Sequence, residues 1–301
     1  MALSGVRQES MYLTIRELCE EKKYPVEAIC MTLKLSRSSY YKWLNREKSH
    51  RELENKEIAT IIESLHNDHP ELGHRRMRDI LKREHNINVS DKRILRIMRI
   101  LGIQSTVKFR RCGCTRSASD PQYTAENILG RNFYASSPNE KWLTDVTEFK
   151  YVLNNEVHKL YLSAILDLCD RRIVSFSIGD RNNNQIVNET FDAAVSANPG
   201  AHPLFHSDRG FQYTSKPFHQ KLVNAGMTQS MSRVGHCLDN GPMEGFWGII
   251  KREKYYGRKF TSRESLVEAI TDYIDYYNNR RYQRRLFTMT PMEVHTLLIA
   301  A

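Results

Sequence analysis

Apolar positions in the first hundred residues recur at helical spacing, whereas those after residue 140 fall in short β-branched and aromatic blocks. Met11-Tyr12, Ile15 and Leu18-Cys19 repeat every three or four residues. Pro25 opens a second segment with Val26, Ile29, Cys30 and Leu33 as its apolar positions, and Ser36 is placed to cap a third that carries Tyr40, Tyr41, Trp43 and Leu44. Two short helices about a tight turn at Lys34-Leu35-Ser36 predict a helix-turn-helix; the plainer alternative is a small helical bundle that touches no DNA. A polar helix over roughly residues 51–67 follows as a spacer. Residues 73–101 predict a second helix pair, GHRRMRDILKREH and a helix capped by Ser90 and stopped by Gly102. In the latter, Ile94, Leu95, Met98 and Leu101 form the inward stripe, and Lys92, Arg93, Arg96 and Arg99 take the other side.

The texture changes twice more. Residues 105–138 mix Ser, Thr, Gly, Pro and Arg without periodicity and are expected to be a linker. From Lys141, KWLTDVTEFKYVL, a turn at Asn154-Asn155, HKLYLSAILDLC, a turn at Asp170-Arg171 and RIVSFSIG predict a three-stranded antiparallel meander. Helix, short strand, helix, short strand and helix then alternate to the end of the chain. The expected architecture is an α/β domain with a mixed sheet and flanking helices, preceded by an all-α helix-turn-helix region. The expected boundaries are 1–50 for the first helical region, 51–104 for the basic helix pair, 105–138 for the linker and 139–301 for the sheet domain with its C-terminal helices.

Charge adds a partner to this picture. The 301 residues carry a formal net charge of +10. Residues 74–111 hold twelve Lys/Arg, among them Arg75, Arg76, Lys92, Arg93, Arg96 and Arg99, against three acids, so nearly the whole excess sits in this window, the expected docking surface. A charged face is often only a solvated one. Here a single acid, Asp91, opposes four cations on the last helix, which favours contact with a polyanion such as double-stranded DNA. The six cysteines form no paired framework, which suits a reducing compartment. Cys112 and Cys114, with His66, His69 and His74 upstream, invite a zinc reading, but one residue between the cysteines is tighter than the usual two to four. No stretch approaches the ~20 apolar residues of a membrane span, and no secretory signal is present, so a cytoplasmic location is expected.

Three carboxylates stand out. Asp145 interrupts a β-branched run where propensity favours Val or Thr. Asp208 ends a short apolar strand before Arg209-Gly210, and Glu244 lies in the first turns of a helix that Asp239 or Asn240 caps and Pro242 opens. A lone Asp at a strand end is more often a turn or cap residue. As a set the three are suited to hold hard divalent cations for phosphodiester chemistry. Lys251, two turns beyond Glu244 on the same side, is placed to hold a phosphate beside them.

WLTDVT at 142–147, HSDRG at 206–210 and DNGPME at 239–244, with 35 residues between the second and third acids, resemble the catalytic core of DDE transposases and retroviral-type integrases. SMSRVGHCLDNGPMEGFWGIIKRE, YNNRRYQRRLFTMTP and GHRRMRDILKREHNINVSDKRILRIMRILGI resemble the second-frame (OrfB-type) product of a bacterial insertion-sequence family. That resemblance covers about residues 10–295. It implies a ribonuclease-H-like catalytic domain and Mg²⁺- or Mn²⁺-dependent strand cleavage and strand transfer with two ions. It implies Asp145, Asp208 and Glu244 as catalytic metal ligands, and Lys251 at a DNA-contacting position. Its partners would be element ends and target DNA, the first-frame transposase product and further copies of the chain on DNA, with the protein on the bacterial nucleoid. Gly241-Pro242 and Gly245 depart from the residues common there but keep the acid. Two rivals remain open at this level. One is a ribonuclease-H-like nuclease that only hydrolyses, with Asp167 as a fourth ligand if it shares Asp145's sheet face. The other is a non-catalytic DNA-binding regulator.

Overall fold

The computed structural model describes residues 3–107 and 121–300, so Cys112 and Cys114 lie outside the described residues. The chain divides into two compact units, Met1–Glu63 and Ser64–Ala301.

In the first unit, helices α1 (Leu3–Lys22), α2 (Val26–Thr32) and α3 (Arg37–Leu44) enclose a small core. Tyr12 and Ile15 from α1 meet Ile29 and Cys30 from α2 and Tyr40 from α3. The α2–α3 turn needs Lys34 at φ +53°, and Ser36 takes the N-cap position with its hydroxyl turned to Ser38 at 2.7 Å. Helix α4 (His50–Asp68) follows, and the division between the units falls within it.

The second unit is built on one five-stranded sheet in the order β3-β2-β1-β4-β5. Strands β1 (Lys141–Leu153), β2 (Glu156–Asp167) and β3 (Ile173–Gly179) form the expected antiparallel meander. Asn154 and Asn155 both have positive φ, the backbone a two-residue hairpin turn requires. β4 (Leu204–Ser207) then pairs parallel to β1, and β5 (Thr228–Met231) parallel to β4. Three antiparallel strands continued by two parallel ones make the ribonuclease-H-like arrangement anticipated above. One face of the sheet is covered by α7 (Asn184–Ala197) and α8 (Lys216–Asn224), whose Ile186, Phe191 and Phe218 pack on Trp142, Ile165 and Phe205. The opposite face, with Leu143, Leu162 and Leu166, is covered by α9 (Gly241–Ile250) and α10 (Arg263–Asn279) through Met243, Phe246, Ile250, Ile270 and Tyr273. Burying faces of this size is the main stabilisation, at ~25 cal/mol per Å² of apolar surface.

The basic helix pair α5 (His74–Glu84) and α6 (Asp91–Ile100) belongs to this same unit. Ser90 caps α6 by accepting from the Arg93 amide, and Gly102 ends it at φ +68°. Arginine–carboxylate bonds fasten the pair to the C-terminal helices. Arg76 of α5 reaches Glu253 at 2.6 Å, Arg284 reaches Asp79 at 2.9 Å, and Arg83 reaches Glu293 of α11 (Pro291–Ala300) at 2.5 Å. Residues 121–140 form no helix or strand, as their lack of periodicity predicts. They are nonetheless laid onto the domain: Tyr123 N–H donates to Thr214 O, and Leu129 and Ala135 are buried. No helix among the described residues is long and apolar enough to cross a membrane.

Candidate active site

Strand register brings the first two acids together. Leu143 of β1 lies opposite His206 of β4 in the parallel pair, so the same offset sets Asp145 beside Asp208, just past the end of β4. The strand end is held by buried His206, whose ring nitrogens meet Ser230 Oγ at 2.9 Å and Ser232 Oγ at 3.1 Å. Burial keeps that ring neutral, with a pKa pushed down to about 4. Gly210 N–H donates to Asp208 Oδ1 at 2.8 Å, and a Cβ at Gly210 would crowd that oxygen at 3.0 Å. Glycine here lets the backbone approach without displacing that oxygen.

The third acid comes from α9, which is pinned across β1. Asn240, its N-cap residue, donates through Nδ2 to Thr144 O at 3.0 Å. Trp247 donates through its indole N–H to Asp145 Oδ2 at 3.0 Å. Lys251, at the start of a π-helical turn over Lys251–Tyr255, donates to Thr147 Oγ1 at 2.6 Å and sits 5.2 Å from the Phe149 ring centre. Residues 240, 244, 247 and 251 are spaced as one stripe of a helix, and Asp145, Thr147 and Phe149 share one strand face. Glu244 therefore faces the strand that carries Asp145. The segment before α9 is fixed by Asp239, fully buried and held by Arg131 Nε at 2.6 Å, Arg233 Nε at 2.9 Å and Asn127 Nδ2 at 2.9 Å.

The electrostatics identify the three acids as neighbours. Burial, and then the negative charge of Asp208, push the Asp145 carboxyl well above the usual carboxylate range. Burial and Asp208 likewise raise Glu244, and burial raises Asp208 itself against the pull of the Gly210 amide. The buried Tyr213 hydroxyl is raised by burial and by both aspartates. Three carboxylates made costly by one another are the donor set that a hard cation would relieve. They stand as neighbours and not as a closed cage: among the described residues no three His, Cys, Asp or Glu side chains are gathered as a metal site.

The other candidates are placed as follows. Asp167 lies opposite Trp142 and Asp145 opposite Ala164, so the two aspartates are on opposite sheet faces. Asp167 instead accepts from the Asn139 and Cys169 amides, on the face away from Asp145. Lys92, Arg96 and Arg99 are exposed on α6, Arg93 is half-buried there, and Arg75 is exposed on α5. Arg76 turns inward, its guanidinium bound to Glu253. The sequence pattern alone did not single out Trp247, Asn240 as a β1 clamp, or Glu253. Trp247 carries a signal in its spacing, one turn past Glu244 between two core positions. Glu253 carries none, because its partners Arg76 and Arg281 are far away in the chain.

Comparison with known proteins gives the family. Residues 135–237 match the Integrase core domain family, residues 244–296 a second Integrase core domain family, and residues 52–111 the HTH-like domain family. InsK, a transposase assigned to insertion sequence element IS150 of Escherichia coli (strain K12), is 36% identical over 274 residues, covering 90% of this chain and 93% of that protein. The chain belongs to the DDE transposases of IS3-type insertion sequences. A transposase-like protein of Haemophilus influenzae is 38% identical over 71% of this transposase and 97% of its own length. The transposase InsF of insertion sequence IS3A of Escherichia coli K12 is 27% identical, covering 86% and 90%. Among solved structures, the catalytic core domain of HTLV-2 integrase in complex with magnesium aligns at a TM-score of 0.40 and 20% identity, covering 54% of this chain and 99% of that one. The transposase is thus a polynucleotidyl transferase with an integrase core and an HTH-like domain that together serve DNA transposition.

Proposed function

We propose that Asp145, Asp208 and Glu244 are the catalytic residues of strand cleavage and strand transfer, and that they hold divalent cations, Mg²⁺ or Mn²⁺, as a pair. The observation that carries this reading is the contrast in surroundings. These three acids are made costly by burial and by one another's charge, while the buried acids Asp239 and Glu253 are each bound by two arginines. When bound, the cations would activate an oxygen nucleophile and stabilise the leaving oxygen of a phosphodiester.

The chain's own residues supply the rest. Rigid β1 and β4 fix Asp145 and Asp208 side by side, and α9 carries Glu244 to them, so the three approach with little further ordering. Lys251, held on Thr147 beside the same strand face, is placed to meet a phosphate and draw DNA along α9. Arg75, Lys92, Arg93, Arg96 and Arg99 on the HTH-like pair supply further phosphate contacts. Arg76 serves that surface indirectly by anchoring α5 to Glu253. The first helical region, residues 1–50, would contact DNA, with the first-frame product carrying the main recognition of element ends and further copies of this chain completing the assembly on DNA at the nucleoid. Asp167's orientation disfavours the hydrolysis-only alternative, which would use it as a ligand.

The test is a strand-transfer assay on pre-cleaved ends with target DNA, with and without Mg²⁺ and with the first-frame product supplied. Joined products from the parent and none from a folded Asp208→Asn variant are expected. Unchanged joining by that variant would overturn the assignment, and hydrolysis without joining would favour a nuclease.

A further inference from the structure

The Asp145 carboxylate is held on both oxygens. Val146 N–H donates to Oδ1 at 2.8 Å, and the Trp247 indole N–H donates to Oδ2 at 3.0 Å. The first is local backbone and survives any substitution elsewhere. The second comes from another element, 102 residues away. We propose that Trp247 is a positioning residue for divalent-cation binding, fixing the orientation of the Asp145 carboxylate and the approach of Glu244 to it. The inference rests on the cation-binding reading given above.

Three features of the residue support this role. Its ring is 5% exposed and packed 5.2 Å from the Phe246 ring centre, so the N–H is aimed by packing and not by a mobile chain. An indole N–H is a donor only and carries no charge. It therefore stabilises an ionised carboxylate without neutralising it, where a lysine or arginine would compete with the cation. Each carboxylate oxygen has two acceptor directions. Trp247 occupies one on Oδ2, leaving another on each oxygen for a cation. Trp247 also lies one helical turn beyond Glu244, so its hydrogen bond ties the carboxylate of one acid directly to the helix of another. Asp208 is held differently, by the backbone amide of Gly210 two residues on. Donors of this kind around ligating groups typically change metal affinity by about 10- to 100-fold.

If Trp247 is only a core residue, removing its N–H while keeping an aromatic ring would lower stability and leave cation binding alone. The test is Mn²⁺ binding to the full chain, followed by electron paramagnetic resonance of free Mn²⁺, for the parent, Trp247→Phe and Asp208→Asn. A second Trp247 variant carries benzothienylalanine, which keeps the ring shape and puts sulfur in place of N–H, so that a folding defect in Trp247→Phe does not obscure the answer. Binding weakened about tenfold or more in the Trp247 variants, with thermal melts close to the parent, is the expected result. Binding within twofold of the parent in a folded Trp247 variant, while Asp208→Asn loses it, would overturn this inference alone. Unchanged binding in Asp208→Asn as well would overturn the cation-binding reading beneath it.

Discussion

Asp239, Glu244 and Glu253 lie within fifteen residues of one another, yet they occupy opposite electrostatic settings. Asp239 and Glu253 are buried and bonded to two arginines each. Burial alone would raise the Glu253 carboxyl, but Arg281 and Arg76 pull it down to about 2, and Tyr273 adds a hydrogen bond at 2.7 Å. Asp239 is held below the usual carboxylate range by Arg233 and Arg131 despite its burial. Glu244, with Asp145 and Asp208, is pushed the other way by burial and by like charge. The difference separates two settings of an acid withdrawn from water in whole or in part. A carboxylate already matched by arginines joins elements of the fold, whereas on the reading proposed above one left facing other carboxylates would take up a cation from outside.

The strongest way to break this comparison is to remove a charge on the uncompensated side. Asp145→Asn is expected to lower strand transfer by about a thousandfold, several kcal/mol of transition-state stabilisation, while the fold survives. A circular dichroism melt run beside the joining assay checks both halves, and a collapsed fold would place Asp145 with the structural acids. On the compensated side the effect falls on stability. Glu253→Gln strands the Arg76 and Arg281 charges and is expected to cost on the order of 3 kcal/mol in urea unfolding. Little change there would show that the arginine clamp is not structural.

The pH dependence of the clamp follows from the direction of the shift. The folded Glu253 carboxyl titrates near 2, below its ordinary 4.5, so its stabilisation is complete above about pH 4.5 and fades as pH falls toward 2. The stability gap between the parent and Glu253→Gln should therefore narrow across that window. Cation addition acts on the other side of the comparison. Mg²⁺ at about a hundred times its dissociation constant should stabilise the parent by roughly 2.7 kcal/mol in thermal shift and leave Asp208→Asn unmoved. The smallest effect is expected on the HTH-like pair. Alanine at Lys92, Arg96 or Arg99 should reduce the salt slope of DNA binding by about 0.9 for each phosphate no longer neutralised, with stability unchanged.

Much of this contrast was legible in the sequence, but only on one side. The strand texture after Lys141, the Asn154-Asn155 turn and the capped Glu244 helix announced the elements, and the motifs around Asp145, Asp208 and Glu244 announced the acids. What periodicity could not supply was the parallel pairing of β1 with β4, which sets residues 145 and 208 side by side through a long crossover. The face of Asp167 was equally hidden until the β1–β2 register fixed its phase against Asp145. Glu253 sits in a run of Lys, Arg and Tyr that reads as a solvated helix face. Its burial depends on Arg76 and Arg281, which no local pattern connects to it. The same locality hid Trp247, whose apolar surroundings concealed a hydrogen bond to another element. Residues 121–135 are a further example, since a stretch without periodicity still supplies buried Leu129 and Ala135 to the core.

The π-helical turn over Lys251–Tyr255 has a consequence for how variation can be tolerated here. A π turn is an α-helix with one residue too many, and the wider turn changes the angular phase of the residues within and beyond it, Glu253 among them. Glu244 and Glu253 are thus indexed separately, although one continuous stretch of backbone carries both. Deleting a residue of the turn that precedes Glu253, such as Arg252, would rotate the later acid by about 100° relative to the earlier one. Glu253 would swing off its arginines while Glu244 kept its bearing on β1. Length in this segment should accordingly be held more strictly than composition, and a one-residue gap would be less tolerable than a change of side chain.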